Sequence, residues 1–480
     1  MVIELSLRQV TEVTGGTLTQ TDCESTVFQG VSIDTRTLQD GELYVAIRGA
    51  SQDGHRFLPE AQAHGAVGVI LERHGVELLP EALPGIVVSD THQALIDLAV
   101  AHRKRMTTRT AGITGSVGKT TVKEFSRHLI ESSGETVHVS AGNLNNLYGL
   151  PLSILQMEES AQYGVFELGI STPGEMSRLA PILQPRVGVI TNISATHVEA
   201  LGSIGGVLSE KVKLFENLSS GGTAVIDGAD SELLDATRAL CDNVITFAVV
   251  AKESLRSCKA DIVASNVTVD STTGHVSFDY EGQRMHLPVF GAEQVSNALC
   301  AVATCRALGA KVDLRSLETF SSDVMALRGA RQKVAGVDVI VDCYNANPAS
   351  MRAGLKTFVS LKPVEQGARK IVALGDMLEL GSIEAEEHLA LGSYLMSLLE
   401  DGGATDIVIT VGERARLIAV GLKDKKHSAV TPLIHSVASA DQAGELLADI
   451  VRPGDVVFLK ASRGIGLESA LDIMKARIQK

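Results

Sequence analysis

The chain has 480 residues, 45% of them hydrophobic, and its 43 basic and 57 acidic side chains give a net charge of −14. This length exceeds one ordinary core, and about three domains are expected. The acidic balance argues against a nucleic-acid partner, and the absence of a leader-like N-terminus or a long apolar run predicts a soluble, cytoplasmic protein without membrane insertion.

Short strands and helices alternate in the first hundred residues. Three apolar runs, "ELYVAI", "AVGVIL" and "GIVVSD", predict strands, and "HQALIDLAVAHRKRM" predicts a helix whose basic tail suits a helix C-terminus. Since a new strand pattern follows this helix, a domain boundary is expected near residue 108. We predict an N-terminal domain over residues 1–108.

The next stretch, "ITGSVGKTT" at residues 113–121, indicates a phosphate-binding loop between a strand and a helix. Gly115 and Gly118 let backbone N–H groups turn toward an anion where the helix begins. Lys119 would meet the outer phosphates, and the hydroxyl of Thr120 would hold Mg²⁺. Because Ile113 stands where the general pattern has a small residue, the loop is a variant; a plain glycine turn is the alternative.

Strand patterns such as "YGVFELG", "RVGVITNI" and "GTAVID" then alternate with helical stretches, which is typical of a mainly parallel sheet. Residues 260–290 alternate polar and apolar positions and predict an antiparallel edge. A second boundary is expected between residues 310 and 332, followed by four strand runs, "VDVIVD", "RKIVAL", "DIVITVG" and "DVVFLK". We predict a central domain at 109–325 and a Rossmann-like α/β domain at 326–480. The basic cluster at 423–427 is expected to be a solvated surface turn.

Polar residues cluster downstream of the phosphate loop. The segment "GNLNNLYGLP" at 142–151 holds three asparagines, which suit either turns or a polar wall for a ligand. Glu167 and His197 follow strands and are expected at the sheet edge near Lys119, where they could ligate a divalent metal; a lone histidine is more often simply hydrogen-bonded. Lys211 and Lys213 in "SEKVKLFENL" are expected, from the residue pattern alone, to be surface lysines.

The last third repeats this arrangement of polar strand ends. Asp342 closes an apolar strand, and Tyr344, Asn345 and Asn347 form a polar turn before Pro348, which suits a helix start. "LGDMLELG" at 374–381 and "KASRGIGLE" at 460–468 follow later strands. Because the carboxyl ends of parallel strands share one edge, these segments predict a binding site. Six cysteines without a Cys-x-x-Cys pair are expected to be reduced and mostly buried.

Taken in order, "TGSVGKTT", "GNLNN", "ELG", "THVEALGS", "EKVKLF", "YNANP", "LGDMLELG" and "KASR" resemble the motifs of the Mur ligase family, and "VSIDTR…DGHRF" resembles its uridine-nucleotide domain. The resemblance spans essentially the whole chain. It implies an α/β, three-domain Mur ligase architecture with a central P-loop domain. It also implies an ATP-dependent monomeric ligase that activates a carboxylate as an acyl phosphate for attack by an amine. "GNLNN" with "YNANP" implies UDP-N-acetylmuramoyl-tripeptide and D-alanyl-D-alanine as substrates, at the last cytoplasmic step of peptidoglycan precursor synthesis.

The resemblance also implies roles for single residues. Those at the phosphates would be Gly115, Ser116, Gly118, Lys119, Thr120 and Thr121. Those around two Mg²⁺ ions would be Thr120, Glu167, His197 and Lys211, with Lys211 carbamylated and thus anionic. Asn297 would contact adenine, Asp342 the ribose and Arg331 the γ-phosphate. Ser32, Thr35, Arg36 and His55 would face the uridine diphosphate, Asn143 and Asn146 the muramoyl peptide, and Asn345, Asn347 and Pro348 the dipeptide.

Six positions depart from the family pattern: Val117, Leu147, Ser171, Glu293, Ala330 and Leu467. Leu147 and Ser171 replace residues expected near the substrate, so the accepted peptide stays open, as does the third residue of the tripeptide. A folylpolyglutamate synthetase-like ligase is one alternative, which "YNANP" disfavours. A regulatory nucleotide switch is another, without an Asn-Lys-x-Asp motif to support it, and a catalytically silent nucleotide-binding homologue is the third.

Overall fold

The computed structural model describes residues 4–49, 51–325, 327–423 and 432–478. Of the basic cluster at 423–427 only Lys423 lies within these residues, so the expected surface turn lies outside them. No helix in the described ranges is both long and apolar enough to cross a membrane.

The N-terminal domain is built on a small mixed sheet. Its elements are β1 (Glu4–Ser6), α1 (Leu7–Thr14), β2 (Thr17–Leu18), β3 (Val27–Gln29), β4 (Val31–Ser32), β5 (Leu43–Val45), α2 (Leu58–Ala63), β6 (Gly68–Glu72), β7 (Gly85–Val88) and α3 (Thr91–Arg105). In the described part of the chain the strand order is β2-β7-β6-β5-β4, parallel except for β2, and β1 pairs with β3 separately. The strands and the long helix expected here are present.

The central domain carries the largest sheet. Its elements are β8 (Arg109–Thr114), α4 (Lys119–Ser132), β9 (Val137–Val139), α5 (Gly149–Leu155), β10 (Tyr163–Glu167), α6 (Glu175–Leu183), β11 (Val187–Ile190), α7 (Val198–Leu201), α8 (Ile204–Lys211), β12 (Thr223–Asp227), α9 (Ser231–Arg238), β13 (Val244–Val250), β14 (Ile262–Val269), β15 (His275–Tyr280), β16 (Gln283–Phe290) and α10 (Gln294–Leu308). The order is β16-β15-β14-β13-β12-β11-β8-β10-β9.

This sheet is parallel from β9 to β14 and antiparallel over β14, β15 and β16, which confirms the expected antiparallel edge. The apolar strands β10 and β11 are buried at every position because helices cover both faces. Strand β8 lies between β10 and β11. The chain therefore adds β9 and β10 on one side of β8 and β11 and the later strands on its other side, which makes β8 the point where the strand order reverses. Ligands bind at such a switch point, outside the carboxyl ends of the strands.

The C-terminal domain is a second, smaller α/β unit. Its elements are β17 (Ala330–Val334), β18 (Val337–Asp342), α11 (Pro348–Ser360), β19 (Lys370–Gly375), α12 (Glu384–Glu400), β20 (Ile407–Val411), α13 (Arg416–Lys423), β21 (Leu433–Val437), α14 (Ala440–Ile450), β22 (Val456–Lys460) and α15 (Glu468–Ile478). The described strands run β17-β18-β22-β19-β20-β21, with β17 antiparallel. The four expected strands are present; the edge strands β17 and β21 were missed because their polar, partly exposed sequences lack a continuous apolar run.

Short 3₁₀ helices connect several of these elements. They span Thr21–Cys23, Gly54–Phe57, Arg73–Leu78, Val212–Asn217, Lys252–Ser254, Leu314–Thr319, Ser322–Met325, Gly381–Ile383 and Arg463–Ile465.

The two joints between domains are built differently. Helix α3 packs on α5 of the central domain, and Leu95 and Leu98 share one buried cluster with Leu150 and Ile154. At the other joint, Phe290 ends β16 and enters the hydrophobic cluster of the C-terminal domain. Around that single ring the second joint is a polar cavity.

Candidate active site

The phosphate loop lies where β8 ends and α4 begins. Gly118 has φ 88°, and a Cβ there would lie 2.3 Å from Asn297 Oδ1, so only glycine fits. Gly115 has φ 145°, and its Cβ would meet Thr191 Oγ1 at 1.9 Å. The glycines expected from the sequence therefore have a steric cause as well as a conformational one.

The loop is anchored by the residues that follow β11. Ser116 Oγ donates to Ser194 O (3.0 Å), and Val117 N donates to Asn192 Oδ1 (3.1 Å). Thr191 Oγ1 also donates to Val117 O (2.5 Å). Since Val117 is held through its backbone, its departure from the family pattern leaves this anchoring intact.

Lys119 is the first residue of α4 and lines the cavity. Its Nζ donates to Gly115 O at 2.6 Å. Burial lowers the pKa of Lys119 to about 8; Glu167 opposes this shift and Arg328 adds to it. An anion bound at the N–H groups where α4 begins would raise this pKa again and favour the charged amine. Thr121 lines the cavity, whereas Thr120 is partly buried and is not among the described lining residues.

A cavity of about 410 Å³ opens between the central and C-terminal domains. The central domain contributes the phosphate loop together with Glu167, His197 and Asn297. The C-terminal domain contributes Arg328, Asp342, Tyr344, Asn345, Asn347 and Lys460. The polar strand ends predicted from both domains thus face one space.

Glu167 and His197 are candidate metal ligands on the central side. Glu167 is 2% exposed, and its Oε1 has no hydrogen-bond partner among the described residues. The ammonium of Lys123 lies 3.4 Å from that oxygen and donates to Ser140 O at 2.7 Å. A buried carboxylate oxygen without a hydrogen bond beside a phosphate loop has the chemistry of a Mg²⁺ ligand.

Lys211 corrects the expectation of two surface lysines, because its side chain is 1% exposed. It ends α8, and no described residue accepts a hydrogen bond from its amine. Burial, and next the charge of Lys119, lower the pKa of Lys211 far below its usual value, while Glu210 opposes the shift. Lys213 is partly exposed and pairs with Glu210 at 2.6 Å.

Arg328, and not Arg331, is the arginine that the C-terminal domain places in the cavity. Its guanidinium stacks on the ring of Tyr344, 3.7 Å from the ring centroid. Arg331 lies on β17, where it donates to Thr272 O (3.1 Å) and pairs with Asp338 (2.9 Å). Arg331 therefore lies outside the described cavity lining in this arrangement of the domains, and its expected contact with the γ-phosphate stays a prediction. Its partners hold it at the antiparallel edge of the central sheet.

The carboxyl ends of β18 and β22 form the next part of the wall. Lys460 is 2% exposed, and its Nζ lies 2.5 Å from Asp342 Oδ2. Glu293, at the start of α10, lines the same wall. Burial raises the pKa of Glu293 to about 7; Asp342 adds to this effect and Lys460 opposes it. Asn297 Nδ2 donates to Gln294 Oε1 at 2.8 Å.

The asparagine segments are placed partly as expected. Asn146 lines the cavity, but its Oδ1 also accepts from Gly149 N at 2.8 Å. Asn143 is exposed and outside the described lining, whereas Asn145, one of the three asparagines of this segment but without an assigned role of its own, lines the cavity. Asn345 lines the cavity as well.

Asn347 and Pro348 shape the start of α11. Asn347 Oδ1 accepts from Ser350 N at 2.9 Å in a capping box, and the buried Pro348 occupies the first helical turn. Asn347 lines the cavity, while Pro348 is not among the described lining residues. Their contribution to a site is therefore mainly to orient the helix start.

The N-terminal residues lie apart from the described cavity lining. Ser32 and Thr35 are buried, and the exposed Arg36 pairs with Asp34 at 2.5 Å. His55 is fully buried: its Nδ1 lies 2.6 Å from Asp53 Oδ1, and its Nε2 accepts from Glu72 N at 2.8 Å. Both ring nitrogens thus have partners within the N-terminal domain, and the expected contact of His55 with a nucleotide stays a prediction.

The tautomer of His55 also decides whether a nearby cluster could bind a metal ion. The possible ligand atoms of Asp53, His55 and His74 lie within 4.8 Å of one another. Because His55 Nε2 accepts a backbone N–H, the proton sits on Nδ1. That nitrogen therefore has no lone pair for a cation.

Sequence reasoning gave no role to Arg328 or to Lys123, which contacts Glu167. Glu293 and Lys460 lie at positions that the sequence analysis noted, but neither was assigned a role of its own. Lys123 stands one helical turn after Lys119, and Lys460 ends a predicted strand, so both had a positional signal. Arg328 had none, because its place depends on how the C-terminal domain packs.

Three family models match the chain in succession. They are Mur ligase family, catalytic domain, over residues 27–103; Mur ligase middle domain, over 113–305; and Mur ligase, glutamate ligase domain, over 328–463. The UDP-N-acetylmuramoyl-tripeptide–D-alanyl-D-alanine ligase of Bacillus subtilis is 31% identical over 97% of this chain and 97% of its own length.

Two solved structures have the same fold along nearly the whole chain. MurF from Acinetobacter baumannii superposes with a TM-score of 0.83 at 26% identity, covering 99% of each chain. The MurF ligase of Thermotoga maritima in complex with ADP gives a TM-score of 0.78 at 25% identity, covering 94% of this chain and 98% of that one. The chain belongs to the Mur ligase family.

Proposed function

We propose that this protein is an ATP-dependent ligase that adds D-alanyl-D-alanine to UDP-N-acetylmuramoyl-tripeptide, the last cytoplasmic step of peptidoglycan precursor synthesis. The observation that carries the proposal is the cavity between domains, where Lys119 on one side faces Asn345 and Arg328 on the other. The B. subtilis relative, similar along its whole length, is named for this reaction, and the T. maritima structure holds ADP, which supports ATP as the phosphate donor.

In this mechanism ATP binds with its outer phosphates in the loop. The N–H groups at the start of α4 and the Lys119 ammonium neutralise charge on the group being transferred. Arg328 lies on the opposite wall, and its stacking on Tyr344 holds the guanidinium in one orientation. Asp342 and Lys460, with Asn297, are placed to bind the nucleoside part.

The reaction then has two steps. A carboxylate oxygen of the tripeptide attacks the γ-phosphorus, ADP leaves, and an acyl phosphate results. The amine of the dipeptide attacks the acyl carbon, loses a proton, and expels phosphate, which carries away the former carboxylate oxygen. Because the cavity walls belong to two domains, closing them excludes water that would hydrolyse the acyl phosphate.

Mg²⁺ fits the central wall, where Glu167 offers an oxygen without a hydrogen bond and His197 lines the same space. Bound there, it would supply positive charge to the phosphates during transfer. The buried Lys211 would serve a second ion only as an anionic carbamate, since an ammonium repels the metal. Its burial favours the neutral amine, which is the form that reacts with carbon dioxide. Carbamylation of Lys211 is therefore part of the proposal.

We assign each part of the two substrates to a segment of the chain. Asn145, Asn146 and Asn345 line the cavity, and we assign the first two to the muramoyl peptide and Asn345 to the incoming dipeptide. Ser32, Thr35 and Arg36 form a turn that could hold the uridine diphosphate. Ser171 lines the cavity, and Leu147 directly follows Asn146 in sequence, so we assign the tolerance for the third residue of the tripeptide to these two positions.

We also infer a monomeric enzyme that works in the cytoplasm. Both walls of the cavity come from one chain, so no second subunit is needed to complete it. The six cysteines are free, which suits a reducing compartment.

The test is phosphate release from ATP and Mg²⁺ with each substrate alone and with both. The tripeptide is supplied in a lysine and a diaminopimelate form. We expect phosphate release only when both substrates are present. The product should then be heavier than the tripeptide substrate by one D-alanyl-D-alanine unit. Binding of ATP without release in any combination would overturn the proposal.

A further inference from the structure

His197 and Glu379 belong to different domains but meet at the cavity. His197 follows β11 in the central domain, and Glu379 lies in the loop after β19 in the C-terminal domain. His197 Nδ1 lies 2.5 Å from Glu379 Oε2. The histidine is 21% exposed and lines the cavity, whereas the glutamate is 56% exposed at its rim.

Both residues hold a backbone conformation that side chains disfavour. His197 has φ 53° and Glu379 has φ 63°. A left-handed non-glycine residue costs on the order of 1 kcal/mol or more, and it persists only where the surroundings impose it. Two such residues in direct contact across a domain boundary point to a functional constraint.

The backbones around the pair are packed against each other. Glu199 N donates to Glu379 O at 3.3 Å, and a Cβ at Gly381 would lie 2.9 Å from Glu199 Cα. The approach of these two segments therefore fixes where the Glu379 carboxylate lies relative to the imidazole.

The chemistry of the pair matches a known feature of metal sites. A histidine that ligates a metal donates its other ring N–H to a carboxylate or carbonyl, which sets the tautomer and the ring orientation. Here Nδ1 lies within ion-pair distance of the carboxylate but is not aligned for a hydrogen bond in this arrangement of the domains. A closer approach of the domains that aligns the two groups would leave the Nε2 lone pair for the cavity. The contact between these two side chains is not a consequence of both being buried, because Glu379 is mostly exposed.

We propose that Glu379 is a positioning residue that orients His197 for the cation, so that the C-terminal domain completes the metal site when the domains approach. This inference rests on the proposed function, which makes His197 a metal ligand. Its consequence is that metal affinity depends on a residue of the other domain that is itself no ligand.

The test uses Mn²⁺ as the probe, titrated into the full-length protein with saturating ADP and followed by electron paramagnetic resonance. Glu379→Gln keeps the size of the side chain but removes its charge. We expect Mn²⁺ affinity to fall about 10-fold or more, the range found when such a partner is lost. The matched control is Glu281→Gln, since Glu281 is also a charged glutamate at positive φ (46°) and pairs with Arg306. It should bind Mn²⁺ as the wild type does.

A double-mutant cycle separates orientation from a general loss of structure. If Glu379 acts through His197, Glu379→Gln should have no further effect on Mn²⁺ binding in a His197→Ala background. Equal Mn²⁺ affinity in Glu379→Gln and wild type would overturn the inference, as would additive losses in the double mutant.

The proposed function can fail separately. Protein that shows the expected Mn²⁺ pattern but forms no ligated product would keep the inference and overturn the function. Protein that forms the product while Glu379→Gln binds Mn²⁺ like the wild type would keep the function and overturn the inference.

Discussion

The joint between the N-terminal and central domains is apolar, whereas the joint between the central and C-terminal domains is polar. At the first, Leu98 of α3 shares a buried cluster with Ile154 of α5, and His102 Nε2 contacts Met157 O at 3.0 Å. At the second, Phe290 lines the polar cavity, and the ion pair of His197 with Glu379 also joins the two domains. Apolar burial holds two domains together without a ligand, while a polar joint is stabilised by what it binds.

The difference explains where the candidate site lies. Polar groups that would be costly to bury, such as Glu167 Oε1, are tolerated because they face a space that ligands fill. The apolar joint holds the turn at residues 32–36, where we propose that the uridine diphosphate binds, at a fixed distance from the central domain. The polar joint can change with each catalytic cycle.

The largest effect is expected at the centre of the polar joint. Lys119→Ala removes the cation from the phosphate loop, and we expect the ligation rate to fall about 1000-fold. The measurement is ADP release at saturating substrates. Lys333→Ala, an exposed lysine on β17, should keep the wild-type rate. A Lys119→Ala rate within tenfold of wild type would contradict the assignment.

At the apolar joint, Leu98→Ala should act on stability. Leu98 is fully buried, so truncation is expected to cost about 3 kcal/mol of unfolding free energy while leaving kcat/KM near wild type. Urea unfolding followed by fluorescence or circular dichroism measures the cost. Val420→Ala, at a site 53% exposed, is the control. If Leu98→Ala lost activity while its unfolding free energy stayed unchanged, the apolar joint would serve catalysis rather than stability, contrary to our account.

The structure places Arg328 in the cavity, whereas the sequence analysis expected Arg331 there, and mutation of each arginine tests the two assignments. Arg328→Ala should lower kcat about 100-fold, because it removes a cation from the cavity wall. Arg331→Ala should leave kcat within a few-fold, since Arg331 pairs with Asp338 outside the cavity. Steady-state kinetics on both variants decide between them. The opposite ranking would return the role to Arg331.

The smallest effect is a pH dependence of nucleotide binding. The pKa of Lys119 lies at about 8 before the nucleotide binds, and bound phosphate raises it. The amine is charged below that value and neutral above it, so binding takes up a proton at higher pH and affinity falls as pH rises. Between about pH 7 and about pH 9 we expect a roughly tenfold loss of ADP affinity by calorimetry. Lys119→Ala should bind weakly with no such slope; a slope retained in that variant would assign it to another group.

Much of the fold and of the central wall could be predicted because the signals are local. Continuous apolar runs predict the buried strands, and the glycines with Lys119 predict the loop directly after β8. The edge strands β17 and β21 were missed because half of their surface is solvated.

The differences between the sequence analysis and the structure concern residues whose surroundings depend on packing. The sequence around Lys211 is charged, yet its side chain, at the end of α8, is buried. Arg328 and Arg331 are three residues apart, and only the pairing of β17 with β18 decides which one faces the cavity. His55 carries a ligand-like motif, but its ring is used by Asp53 and Glu72.

The most direct test of the central claim follows one oxygen atom. The claim is that the polar joint activates a carboxylate with ATP. The tripeptide substrate is labelled with ¹⁸O in its terminal carboxylate, and the phosphate released during ligation is analysed by mass spectrometry. Our account predicts one ¹⁸O atom in each released phosphate, because that oxygen attacks the γ-phosphorus and leaves with it. Unlabelled phosphate alongside ligated product would contradict the acyl-phosphate route and the proposed use of the cavity.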